Sequence, residues 1–318
     1  MKFNKTVVTA CDSNYIWGAY ILIASLCYYD VKCYKKVLGI MLTNEEQELL
    51  TQFPNTEVFN SNRITDRSVC LMKPHAIEAA DTEIVSWMDS DCLVTGDVTD
   101  LLEAQDGEIQ IRFRSFEENA GVYRNYYGKD DELGLIPQKV LDVWKADVND
   151  LETPQISTVC ETNCFVITKN SMEFVKKWQT QMEKVIVDNN LQVYNKKSIG
   201  YFMTDESALN SLMAYSSEAP KVTEYLFDKD KDKLLVHFGL NPKPWVHWTK
   251  RALLHYDLTL EIIDWCKKMG YKTPPIPSSL KRKNKMKETI RAEINHQYNS
   301  LKYGVSSFLH SHHRRVRS

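Results

Sequence analysis

With 318 residues, 43% of them hydrophobic and 26% charged, the chain can build one large domain or two modest ones and has the balance of a globular protein. That composition excludes wholesale disorder and collagen-like repetition. The formal charge of −2 conceals an uneven distribution: residues 281–318 hold ten Lys or Arg against two Asp or Glu, a balance of +8, which leaves −10 for the rest.

The first half alternates short β-rich runs with helical patterns, the signature of a parallel sheet with crossover helices. Lys5 to Ala10 reads as a strand, Trp17 to Cys27 as a helix and Lys36 to Met41 as a second strand. Thr43 with Glu46 three residues later forms a capping box for the next helix. A strand over Thr56 to Phe59 and a helix from Lys73 to Ala80 follow, and then a buried strand over Glu83 to Met88 that delivers Asp89 to its carboxyl end. The charged, aromatic stretch from Phe113 to Gly134 reads as a loop region or insertion. Beyond it are predicted a strand over Val159 to Thr168, a helix over Ser171 to Asn189, a helix capped by Thr204 and running to Ala214, and a strand over Leu234 to Phe238. Pro274, Pro275 and Pro277 mark a joint, so the domain division expected is 1–273 followed by a tail over 274–318.

Two segments carry chemistry. In Trp87-Met88-Asp89-Ser90-Asp91, two carboxylates stand two positions apart where a buried strand ends, the edge at which open α/β sheets bind ligands. Side chains two apart on extended backbone face the same way and can share a hard divalent cation, Mn²⁺ or Mg²⁺; the bland alternative is a pair of turn-forming aspartates. The second segment is His237-Phe238-Gly239-Leu240-Asn241-Pro242-Lys243-Pro244-Trp245. Imidazole can complete a metal site, glycine lets backbone approach a phosphate, and an ammonium can neutralise a departing diphosphate. Taken singly, His237 reads equally as a structural histidine and Lys243 as a solvated cation.

These two segments, with TACDSNYIWGAYILIASL at the start, Lys73 in LMKPHAIEAA and DESALN at Asp205 to Asn210, resemble glycosyltransferase family eight over most of residues 5–250. The resemblance implies a single GT-A domain, α/β, with a mostly parallel Rossmann-like sheet flanked by helices, followed here by a basic helical tail. It implies that Asp89, Asp91 and His237 hold Mn²⁺ and that Lys243 and Gly239 meet the donor diphosphate. Ala10, Asp12 and Tyr15 would line the nucleotide, Lys73 would sit beside the donor, and Asn163 and Asp205 would touch the sugar. Asp205, Glu206 and Lys243 are the expected catalytic set; a carboxylate at Glu206 could stabilise oxocarbenium-like charge or act as nucleophile, and the bland alternative is a solvated first-turn helix residue favoured by the helix dipole. Without the family context, Asp12 reads as an Asx turn and Tyr15 as a partly buried aromatic. The chain departs from the family at three places. Gly239 stands two rather than three residues after His237, and Phe165 replaces a glycine after Asn163-Cys164. Glu206 and Ser207 stand where relatives have glutamine and a second aspartate.

The activity expected is transfer of a hexose from a UDP-sugar to a hydroxyl of a glycan or lipid-linked acceptor in glycan synthesis, with retention at the anomeric carbon. Two rivals remain: a nucleotide-sugar or glycan binding module without turnover, and a metal-dependent phosphohydrolase, which leaves HFGLNPKPW unexplained. The longest apolar run near the start, Ala19 to Cys27, is far shorter than a membrane span, so neither a signal nor a spanning segment is expected. Eight scattered cysteines without a CxxC pair read as reduced thiols, and the expected compartment is the cytoplasm. In the tail, Met286, Ile290, Ile294, Tyr298, Leu301, Val305 and Phe308 recur every three or four residues, an apolar stripe that fits an anionic membrane surface or a packing face. The acidic body disfavours nucleic acid as the partner.

Overall fold

The structure, a computed structural model, describes residues 2–60, 69–127, 134–185, 198–228 and 233–315, with the side chains of 124–127 and 302–315 outside the description. The last part of the predicted Ser171–Asn189 helix and the side chains of Val305 and Phe308 therefore lie outside the described residues.

Strand β1 (Lys5–Cys11) is buried from Thr6 onward, and its β-branched run suits a strand covered on both faces. Helix α1 (Ile16–Tyr28) follows, apolar nearly all round and buried from Ile16 to Leu26, as a helix enclosed by other elements must be. Strand β2 (Tyr34–Gly39) leads to α2 (Asn44–Thr51), whose capping box is complete. The Thr43 hydroxyl accepts from the Glu46 N–H at 3.2 Å, and the Glu46 carboxylate accepts from the Thr43 N–H at 2.9 Å. Strand β3 (Thr56–Asn60), helix α3 (Lys73–Glu78) and strand β4 (Ile84–Met88) complete the first half; β4 is buried at every position.

The second half contains β5 (Cys92–Val94), β6 (Glu108–Phe113), α4 (Phe116–Tyr127), α5 (Gln138–Val148), β7 (Cys160–Thr168), α6 (Met172–Val185) and α7 (Thr204–Tyr215), then β8 (Lys221–Thr223), β9 (Leu235–His237), α8 (Tyr256–Lys268) and α9 (Lys285–Arg315). Two expectations need correction. The described part of the stretch Phe113–Gly134 is mostly helix rather than loop, since β6 ends at Phe113 and α4 occupies Phe116–Tyr127. The Ser115 hydroxyl accepts from the Glu118 N–H and the Glu118 carboxylate accepts from the Ser115 N–H, a capping arrangement that starts α4 among charged residues. Thr204 is not a cap either. It is the first residue of α7, Met203 stands at the N-cap without a side-chain bond, and the helix is buried from Thr204 through Tyr215.

Seven strands form one sheet in the order β3-β2-β1-β4-β7-β6-β8, and four of its six neighbour pairings are parallel. The chain winds outward from β1 to β3 and then returns to lay β4 on the other side of β1, pairing Lys5 with Ile84 and Val8 with Trp87. Such a reversal opens a crevice at the carboxyl ends of the two central strands, where open α/β sheets bind ligands. Predicted strand Leu234–Phe238 is present as β9, but it joins a separate antiparallel ribbon with β5 that sets His237 opposite Cys92.

After Pro274 the chain lies on the body. The Trp17 indole donates to the Pro275 carbonyl at 3.1 Å, the Trp248 indole to the Ser279 carbonyl at 2.9 Å and the Tyr256 hydroxyl to the Lys281 carbonyl at 3.0 Å. Glu288 and Ala292 of α9 are buried at 1% exposure, whereas Met286, Ile290, Ile294, Tyr298 and Leu301 are each more than half exposed. These five residues of the predicted stripe thus lie on the side of α9 opposite its packed residues. Among the described residues no helix is long and apolar enough to cross a membrane.

Candidate active site

At the end of β4 the backbone turns, with the Asp89 N–H donating to the Asn163 carbonyl at 2.8 Å and the Cys92 N–H to the Asp89 carbonyl at 2.9 Å. The β5–β9 ribbon then carries His237 to the turn. His237 Nε2 stands 3.2 Å from Asp91 Oδ1 and 3.7 Å from Asp89 Oδ2. Each of the three residues offers one ligand atom, and all three atoms lie within 4.8 Å of one another. Asn163 Nδ2 is 3.1 Å from His237 Nδ1; with the amide donating there, Nδ1 accepts and Nε2 carries its proton toward the carboxylates, whereas holding a cation on Nε2 requires the proton on Nδ1, facing an acceptor such as the Asn163 amide oxygen. The Trp87 indole donates to Asp89 Oδ1 at 2.8 Å and fixes that carboxylate.

Two buried lysines flank the group. Lys73 Nζ lies 3.0 Å from Asp89 Oδ1 and 2.9 Å from Asp205 Oδ2, and donates to the Thr162 carbonyl at 3.1 Å. Burial alone would lower its pKa, but Asp205 and Asp89 outweigh that and hold it well above the usual lysine value. Lys243 Nζ donates to Asp91 Oδ2 at 2.6 Å and to the Phe238 carbonyl at 2.8 Å. Burial would raise the Asp91 carboxyl, yet His237 and Lys243 prevail and bring it down to about 2. For Asp89 burial wins over Lys73 and His237, and its pKa is raised. His237 resists the downward pull of burial because Asp91 and Asp89 face it, and its pKa is raised.

On the β1 side, Asp12 caps the short turn Ser13–Tyr15, accepting from the Tyr15 N–H at 3.1 Å, so the Asx-turn reading of Asp12 holds alongside its place at the cavity. Tyr15 is half-buried and meets Trp245 edge-on at 5.7 Å, and the Trp245 indole donates to the Asn14 carbonyl at 3.0 Å. The Lys-Pro-Trp end of the late segment therefore clamps the loop that follows β1. Two glycines are required by contact. A Cβ on Gly18 would meet the Ser90 carbonyl oxygen and the Trp245 ring at 2.6 Å each, and one on Gly239 would meet the His237 ring at 2.8 Å.

All twelve sequence-predicted site residues (Ala10, Asp12, Tyr15, Lys73, Asp89, Asp91, Asn163, Asp205, Glu206, His237, Gly239 and Lys243) line one cavity of about 540 Å³. Phe165, which stands where family-eight glycosyltransferases carry a glycine, is not among the lining residues; it is buried, edge-on to Trp178. Sequence reasoning missed Trp87, Thr162, Glu161 and Arg114, which line the cavity too. Their signal was polar residues inside strand patterns, IRFR at β6 and CETNC at β7. Glu206 is no solvated first-turn residue. It is 8% exposed, and both its oxygens are gripped by the two terminal nitrogens of Arg114. Burial raises the Glu206 pKa against the pull of Arg114. Arg114, Glu161, Asn163, His237 and Gly239 also line a second cavity of about 490 Å³.

No protein-family profile matches the sequence, and no curated protein matches it. Solved structures do match. Galactosyltransferase LgtC, crystallised in complex with donor and acceptor sugar analogs, aligns at 15% identity and TM-score 0.54, covering 85% of this chain and 97% of its own. The chain has the GT-A fold. An active-site variant of LgtC that exchanges glutamine for glutamate aligns at 14% identity and TM-score 0.52 over the same shares. The glycosyltransferase GlyE of Streptococcus pneumoniae TIGR4 aligns at 16% identity and TM-score 0.51, covering 86% of this chain. The chain spans 65% of GlyE, just under two thirds.

Proposed function

We propose that this GT-A chain is a metal-dependent glycosyltransferase that moves a hexose from a UDP-sugar to a hydroxyl acceptor in glycan or glycoconjugate synthesis. The observation that carries this reading is the convergence of Asp89, Asp91 and His237 with Lys243 at the sheet's switch point, in one cavity with the other predicted donor residues. The residues fit a divalent cation on their own chemistry. Carboxylate oxygens and an imidazole nitrogen suit Mn²⁺ or Mg²⁺, and the cavity is lined by six Asp or Glu against three Lys or Arg. The carbonyl oxygen of the Asn163 side chain is buried there without a protein partner, a polar atom left for a ligand.

Asp89, Asp91 and His237 would hold the cation, which supplies Lewis-acid stabilisation of the leaving diphosphate when bound. Lys243 adds a fixed positive charge at the same end of the cavity, where its tie to Asp91 keeps it pointed inward. Ala10, Asp12 and Tyr15 form the wall for the nucleotide, while Lys73, Asn163 and Asp205 face the sugar. Glu206, pinned at both oxygens by Arg114, acts as a fixed carboxylate that stabilises positive charge developing at the anomeric carbon. That grip disfavours a nucleophilic role for Glu206, and retention then follows same-face attack. The exposed stripe of α9, with basic residues around it, supports peripheral attachment to an anionic membrane surface.

Incubation with a panel of UDP-hexoses, Mn²⁺ and sugar acceptors tests the reading. UDP release with a glycosylated product is expected. Release of inorganic phosphate would favour a hydrolase, and donor binding without turnover would favour a binding module.

A further inference from the structure

The second cavity differs in charge from the donor cavity although the two share a wall. Four Lys or Arg line it against two Glu, the reverse of the donor cavity's balance. Both of its acids are already engaged. Glu118 accepts from Arg112 at 2.7 and 2.8 Å, and Glu161 lies 2.9 Å from Arg112 and 3.4 Å from Arg114. The turn before α8 adds Arg251 and His255 to the lining of the same cavity. Arg251 is exposed, and among the described residues no carboxylate pairs with it. Leu240 and Leu254, 60% and 81% exposed, stand at the same cavity.

We infer that the second cavity receives an acceptor bearing an anionic group, a phosphate above all, read by Arg251 while the acceptor's hydroxyl reaches the shared wall at Asn163 and His237. This rests on the transferase reading and names the substrate class for it. Guanidinium suits phosphate because its planar fork offers paired donors and stays charged at every working pH. The inner wall cannot serve, because the donors of Arg112 and Arg114 are committed to Glu118, Glu161 and Glu206. The two leucines give an apolar moiety beside the phosphate a surface to lie on, so a soluble sugar phosphate and a lipid-linked one present the same recognised group.

The test measures binding by calorimetry in the presence of UDP and Mn²⁺, with four probes: glucose, octyl glucoside, glucose 1-phosphate and the octyl ester of glucose 1-phosphate. Both phosphate probes should bind on the order of tenfold more tightly than their neutral counterparts. Arg251→Ala should erase that difference and Arg251→Glu should reverse it, while UDP affinity stays unchanged in both variants. Tighter binding of the octyl ester than of the free phosphate, lost in Leu254→Ser, assigns a lipid-linked source; equal binding assigns a soluble one. Equal affinity of charged and neutral probes in the unmodified protein, a preference that persists in Arg251→Ala, or no binding by any probe overturns the inference while UDP binding keeps the transferase reading intact. Failure to bind UDP with Mn²⁺ would overturn both.

Discussion

The two cavities on either side of the Arg114–Glu161–Asn163–His237 wall are alike in size, about 540 and 490 Å³, and opposite in charge. The acid-rich one is built from the carboxyl ends of β1 and β4 with the start of α7, and its lysines are each bound to a carboxylate. In the basic one the acids are the bound partners, and Arg251 is left over. What separates them is the balance of charge: six Asp or Glu against three Lys or Arg suit a cation in the first, and Arg251, which no described carboxylate pairs, suits an anion in the second.

The largest loss is expected from removing a carboxylate or the imidazole on the acid-rich side. Asp89→Asn, Asp91→Asn and His237→Ala should each lower kcat/KM for transfer by about a thousandfold, on the order of 4 kcal/mol of transition-state stabilisation, with EDTA producing a comparable loss in the unmodified protein. Activity that survives both EDTA and Asp91→Asn would remove the metal from the account. Next in size is Lys243→Ala, expected to cost roughly a hundredfold in kcat. Its effect should be larger with UDP-sugar than on the affinity for free uridine, which isothermal titration can separate.

A smaller effect concerns Glu206, which lines the acid-rich cavity and grips Arg114 of the shared wall. Glu206→Gln should reduce kcat by roughly tenfold to a hundredfold and leave UDP affinity unchanged, because a neutral amide keeps the shape but not the charge. An unchanged turnover number would return Glu206 to a purely structural pairing with Arg114. The smallest expected effect lies far from both cavities. Ending the chain after Gln297 removes Tyr298, Leu301 and the last basic residues but keeps the buried Glu288 and Ala292. Sedimentation with anionic liposomes should fall and Tm should hold, whereas ending it at 277 should also lower Tm through loss of the Trp248–Ser279 bond and the Glu288 contacts. Equal sedimentation of full-length and shortened chains would contradict membrane attachment through α9.

Much of the acid-rich cavity was legible because β1 and β4 are buried almost throughout and read as apolar or β-branched runs. β1, β4 and β7 were placed within a residue or so, and the Thr43–Glu46 box marked α2. Asp89 could be read at a strand end because β4 has no polar break before it except Ser86. The basic cavity was not legible. Its inner wall is the carboxyl end of β6 with Arg114, which falls in the charged stretch Phe113–Gly134 that reads as a loop, although Arg112 and Arg114 are each held by a carboxylate from a distant segment. The β5–β9 ribbon pairs strands of three residues each that lie far apart in sequence, and local pattern carries no record of such a pairing. The burial of Glu206 was hidden for a related reason: α7 is enclosed on all sides, so no polar face marks which of its residues meet solvent.

Electron paramagnetic resonance of Mn²⁺ reads, in one titration, both the proposed cation site and its use together with a nucleotide. Titrating Mn²⁺ into the protein should show one bound ion whose affinity rises when UDP is added, and Asp91→Asn should abolish both the binding and the UDP effect. UDP that binds equally well with Mn²⁺ and with EDTA, or an ion that binds undiminished in Asp91→Asn, would contradict the account.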